Sequence, residues 1–83
     1  MPSVTIYTTK VCPYCVKAKM LLTKKNVKYQ EVDASDDKVR DDMIQKAGGK
    51  RTVPQIFING KHVGGCDDLY ALESKGELDK LLA

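Results

Sequence analysis

The chain has 83 residues, 42% of them hydrophobic and 30% charged, with a net charge of +3. That length holds one core, so residues 1–83 are expected to form a single domain. The charge is small and evenly spread, which argues against nucleic acid as a partner, and no run of ~18 apolar residues suggests a membrane span. Met1-Pro2-Ser3 leads straight into strand-like sequence, without the charged and apolar regions of a signal peptide. Three cysteines are too few, and odd in number, for a small secreted scaffold. The expected compartment is the cytoplasm.

Val4 to Thr8 alternates β-branched and aromatic residues and predicts a strand. Thr9-Lys10-Val11 is a short loop. A helix is expected from Pro13 to Lys25, because proline is well tolerated at a first helical position. Val11, Cys15, Ala18 and Leu22, with Leu21 beside them, give it a buried stripe, while Lys17, Lys24 and Lys25 face water. Val27 to Val32 predicts a second strand. Asp33-Ala34-Ser35-Asp36 offers capping oxygens, Val39, Met43 and Ala47 form the inner face of a second helix, and Gly48-Gly49 ends it.

Thr52-Val53-Pro54 precedes a strand at Gln55-Ile56-Phe57-Ile58. Asn59-Gly60 is a strong hairpin signal, and Lys61-His62-Val63 is the return strand. Gly64-Gly65 breaks that strand. Asp67-Asp68 opens a third helix carrying Leu69 and Leu72, and Gly76 separates it from a last turn with Leu78, Leu81 and Leu82. The order β-α-β-α-β-β-α makes the first two strands parallel through a right-handed crossover and the last two an antiparallel hairpin. The fold class is therefore α/β, a four-stranded mixed sheet with helices on both faces.

Cys12-Pro13-Tyr14-Cys15 carries the chemistry. Two thiols two residues apart, at a strand-to-helix junction, read as a redox pair. Cys12 falls at the N-cap, where a side chain accepts hydrogen bonds from backbone amides two or three residues on, those of Tyr14 and Cys15. Such bonds and the positive helix end favour a thiolate, the attacking species in thiol–disulfide exchange. Lys10 and Lys17 add positive potential. Cys15, one turn in, should be more buried and placed to resolve a mixed disulfide on Cys12. Zinc is the rival reading, with Cys12, Cys15, His62 and Cys66 as ligand types, but the gap between the two halves is far longer than in zinc fingers. No metal site is expected, and His62 reads as a solvent-facing hairpin residue.

Two loops are ambiguous on their own. Pro54 fits an ordinary strand start that needs no N–H donor. Gly64-Gly65-Cys66-Asp67-Asp68 is either a turn with acidic capping or a helix start whose amides bind an anion while the acids meet an ammonium. Cys66 reads as an inert thiol.

Together, Cys12-Pro13-Tyr14-Cys15, Thr52-Val53-Pro54 and Gly64-Gly65-Cys66-Asp67-Asp68 resemble, in that order, the motifs of dithiol glutaredoxins, a thioredoxin-fold family that uses glutathione. The resemblance covers nearly the whole chain. It implies a glutathione-dependent disulfide oxidoreductase serving electron transfer and redox balance, with glutathione as co-substrate and no permanent cofactor. Cys12 would be the nucleophile and Cys15 the resolving thiol. Tyr14 and Thr52 would flank glutathione, and Pro54 would be cis, leaving the Val53 backbone to pair with the ligand's cysteine. Gly65, Cys66 and Asp67, with Asp68 as a weaker candidate, would hold the γ-glutamyl end. Lys10 stands one residue closer to Cys12 than the lysine the family commonly has, and residues 47–51 run about one residue long. Lys10 and Arg40 are the candidate contacts to the glycyl carboxylate. Partners would be disulfide-bonded or glutathionylated proteins, with ribonucleotide reductase a common client of the family, and the chain would act as a monomer. Two rivals share the fold: a thioredoxin-like donor reduced by a flavoenzyme, and an iron–sulfur or zinc carrier between two subunits.

Overall fold

A computed structural model describes residues 3–82. The elements run β1 (Val4–Thr8), α1 (Pro13–Lys24), β2 (Gln30–Asp33), α2 (Asp37–Lys46), β3 (Gln55–Ile58), β4 (Lys61–Gly64), α3 (Cys66–Ser74) and α4 (Leu78–Leu82). The sheet order is β2-β1-β3-β4, with β1 parallel to β2 and antiparallel to β3, and β3 antiparallel to β4. This is the expected mixed sheet.

Alternation along the central strands splits the core in two, because successive side chains leave a strand on opposite faces. Val4 and Ile6 of β1 and Ile56 and Ile58 of β3 pack with Ala18, Leu21 and Leu22 of α1, Leu69 of α3 and Leu78 of α4. On the other face, Tyr7 and Phe57 pack with Met43 of α2 and with Ala34 and Ala47. Tyr7 and Phe57 meet edge to face, with ring centroids 5.7 Å apart. Helices therefore cover both sides of the sheet.

Four details depart from the sequence reading. Val11 is 91% exposed, so the buried stripe of α1 begins at Cys15. The residue lies in the loop ahead of the helix, where helical spacing does not apply. Second, β2 starts at Gln30 and not at Val27. Asn26 takes a left-handed conformation, φ 58°, and Val27 and Tyr29 pack against the core from the connecting segment before the ladder begins. Third, Lys25 leaves solvent to bridge Glu73 at 2.7 Å and Asp79 at 2.9 Å. Those two hydrogen-bonded carboxylates raise its pKa, and they tie the end of α1 to the C-terminal helices. Finally, Gly64 is the last residue of β4 rather than its breaker, and Gly65 becomes the N-cap of α3.

Leu22 is fully buried. Truncation to alanine should cost about 2–5 kcal/mol through lost transfer energy and the cavity left behind. Val11→Ala should change stability by no more than about 0.5 kcal/mol. Urea unfolding of the two variants checks the pair, and comparable losses would return Val11 to the core.

Candidate active site

β1 delivers the chain to the head of α1. Cys12 is extended at φ −151° and ψ 96°, and Pro13 takes the first helical position, which needs no N–H. The Cys12 Sγ accepts a hydrogen bond from the Cys15 amide at 3.1 Å. The second expected donor, the Tyr14 amide, makes no such bond. Cys12 and Cys15 are joined as a disulfide. Cys15 is buried, Cys12 is half-buried, and Tyr14 stands out into solvent. The sequence reading assigned the accessible and sheltered roles the same way.

The loop before β3 faces this sulfur. The Val53–Pro54 peptide bond is cis, and the Val53 carbonyl lies 3.9 Å from Cys12 Sγ. A buried side chain that sequence reasoning missed supports the loop. Gln55 is 1% exposed. Its Nε2 donates to the Thr52 carbonyl at 2.9 Å and to Thr52 Oγ1 at 3.2 Å, and its Oε1 lies 2.6 Å from His62 Nε2. An amide oxygen only accepts, so His62 Nε2 carries the proton in that contact. The His62 ring also lies against Phe57, centroids 5.1 Å apart. His62 is thus a support of the proline loop as well as a hairpin residue. Among the described residues, no three His, Cys, Asp or Glu side chains cluster as a metal site.

The third wall is the start of α3. Gly64 has φ 122°, open to glycine, and a Cβ there would collide with the Asp68 carboxylate. Asp68 uses that carboxylate to accept the Gly65 N–H at 3.1 Å. A Cβ on Gly65 would come within 3.3 Å of the Pro54 carbonyl, so α3 begins hard against the proline loop. Cys66, in the first turn, is buried, and burial pushes its thiol above the ordinary value, with Asp67 adding and Lys17 opposing.

Between these walls lies a cleft of about 380 Å³. Tyr14, Thr52, Val53, Pro54, Gly65, Cys66, Asp67 and Asp68 all line it. Lys50 and Gln55 line it too. The only sequence signal for Lys50 was its place in the long 47–51 segment. The cleft does not include Lys10 or Arg40. Lys10 lies in a separate polar hollow with Thr8, Thr9, Lys19, Glu31 and Asp33. There a hydrogen bond from Thr8 and the Lys19 ammonium hold Glu31 below the usual carboxylate range. Arg40 is exposed on α2.

The glutaredoxin family model matches residues 4–63. The chain is 57% identical over 82 residues to glutaredoxin 1 of Rickettsia prowazekii, covering 96% of this chain and 86% of that relative. The chain belongs to the glutaredoxin family. Two solved glutaredoxins superpose closely. The solution structure from Brucella melitensis has a TM-score of 0.85 at 53% identity, covering 96% of this chain and 87% of the other. The crystal structure of a buckwheat glutaredoxin–glutathione complex has a TM-score of 0.87 at 29% identity, covering 98% and 76%. Glutaredoxins are thiol–disulfide oxidoreductases, and Cys12 with Cys15 is the redox pair of this one.

Once the disulfide is reduced, Cys66 should be alkylated by iodoacetamide far more slowly than an unfolded-peptide cysteine at neutral pH, because burial shelters it and raises its pKa. Peptide mapping by mass spectrometry reads this out. Rapid labelling of Cys66 near pH 7 would contradict a sheltered, protonated thiol.

Proposed function

We propose that this glutaredoxin holds glutathione in the cleft between α1, the Val53–Pro54 loop and the head of α3, with Cys12 as the reacting thiol. The observation that carries the reading is the Cys12 sulfur, which caps α1 and faces the Val53 carbonyl. As a thiolate, Cys12 attacks the glutathione sulfur of a mixed disulfide. A Cys12–glutathione disulfide forms, and the protein thiolate departs. A second glutathione thiolate then attacks that disulfide, releasing oxidised glutathione and restoring Cys12. On a protein disulfide, Cys12 forms the mixed disulfide and the Cys15 thiolate displaces the substrate, closing the Cys12–Cys15 bond. Two glutathione molecules reopen it.

The ligand's cysteine pairs with the Val53 backbone, which Pro54 leaves unpaired on that edge, while Tyr14 and Thr52 flank it. Asp68 already occupies the Gly65 amide. That leaves the first-turn amides of Cys66 and Asp67 for the γ-glutamyl carboxylate, where the helix end favours an anion. The Asp67 carboxylate meets the ammonium. Lys50, which makes no ion pair among the described residues, takes the glycyl carboxylate in place of Lys10 or Arg40. The buckwheat complex supports glutathione as the ligand. Residues 1–83 act as one domain, as a monomer in the cytoplasm, without a resident cofactor. Clients are disulfide-bonded or glutathionylated proteins, ribonucleotide reductase among the family's common ones.

Cys12→Ser should abolish turnover in a coupled deglutathionylation assay, and retained activity would sink the mechanism. Cys15→Ser should keep activity on mixed disulfides and lose it on protein disulfides; equal loss on both would count against the division of roles. Lys50→Glu should raise KM for a glutathionylated peptide by up to about fivefold with kcat little changed, the scale of an exposed charge contact. An unchanged KM would remove Lys50 from the site.

A further inference from the structure

Helix α1 turns Val16 and Met20 outward, beginning one turn after Cys12. Within the helix, Val16, Lys19, Met20 and Thr23 fall at i, i+3, i+4 and i+7, which keeps their side chains on one face. Val16 is 52% exposed and Met20 65%. The core does not use them, since Cys15, Ala18, Leu21 and Leu22 complete the inward face. With Lys19, Thr23 and Lys24 they line a shallow groove of about 450 Å³. The exposed side chains of Val11 and Tyr14 extend apolar surface around the sulfur.

The charge on this helix has one sign. α1 carries Lys17, Lys19 and Lys24 and no acidic residue. Lys19 pairs with Glu31 at 3.0 Å. Lys17 and Lys24 are exposed and make no ion pair among the described residues.

We propose that this groove docks the polypeptide bearing the substrate disulfide, and that it selects an extended segment of apolar residues interspersed with Asp or Glu. The proposal rests on Cys12 being the attacking thiol. Two observations favour this occupant. The groove starts at Val16, whose N–H donates to the Cys12 carbonyl at 3.1 Å, and it shares no residue with the glutathione cleft, so both can be filled at once. Lys24 in the groove makes no ion pair among the described residues and α1 carries no acidic residue, so carboxylates fit beside the apolar side chains that would cover Val16 and Met20. From Cys12 to Lys24 the helix rises about 18 Å, the span of five or six extended residues.

The test uses Cys15→Ser protein and three thionitrobenzoate-activated probes: cysteine itself, a peptide with a central cysteine flanked on each side by about six Leu and Glu residues, and the same peptide with Lys for Glu. In each case Cys12 thiolate attacks the probe's cysteine sulfur, the Cys12–probe disulfide forms, and coloured thionitrobenzoate leaves. The Glu peptide should react about tenfold faster than the Lys peptide at low salt, and the ratio should narrow as salt screens the charges. Adding Met20→Glu and Lys24→Glu together should erase that preference while leaving the rate with the cysteine probe unchanged, which also reports an intact fold. Equal rates for the two peptides, or an undiminished preference in the double variant, would overturn the docking surface. Failure to react even with the cysteine probe would overturn the Cys12 assignment, and the docking surface with it.

Discussion

The Cys12 sulfur does the work of a helix cap, and the chemistry of the chain depends on that placement. An N-cap bond is worth about 1 kcal/mol to a helix, and the field of a helix end adds about 0.3–1 kcal/mol for a nearby anion. Both act on whatever negative charge the sulfur carries at that helix end. In the proposed mechanism, the contact that starts α1 is also the one that steadies the attacking sulfur. Pro13 assists by occupying the one helical position where a missing N–H costs nothing.

That sulfur is useful only because the sheet brings other walls to it. β1 and β3 are neighbours in the sheet, so the end of β1 and the beginning of β3 lie side by side. The Cys12 loop and the Val53–Pro54 loop meet there although they are 41 residues apart in sequence. Gln55 stiffens the second loop from within, satisfied on both sides by Thr52 and His62. A buried amide left without partners would cost about 1–3 kcal/mol, so this side chain is held in one orientation. Gly65 then brings the head of α3 so close to the loop that an added Cβ would lie 3.3 Å from the Pro54 carbonyl.

Most of this architecture was legible in the sequence, because its signals are local. The alternation in β1, the Asn59-Gly60 turn and the leucine spacing of α1 each act within a few residues. The three motifs named the cleft, and the structure gathers them. What escaped depends on where distant segments land. The side-chain positions of Lys10 and Lys50 follow from loop directions that no periodicity encodes. Val11 matched the helical spacing by coincidence of number, one residue ahead of the cap. Lys25 looked like any surface lysine until α3 and α4 brought two carboxylates to it. The late start of β2 came from a left-handed Asn26, a conformation that Asn tolerates but does not announce. Gln55 and His62 are seven residues apart, across a hairpin, and polar residues in strands usually face water.

A four-stranded sheet has two open borders, and each exposes backbone groups that could recruit another chain. At one border, Glu31 and Asp33 of β2 put carboxylates along a strand of only four residues. At the other, β4 is equally short, starts with Lys61, and breaks step with β3 between Ile56 and Phe57. Charge, brevity and an irregular ladder all discourage strand-to-strand stacking. The consequence is colloidal: neither border offers a second copy a long, uncharged strand on which to stack.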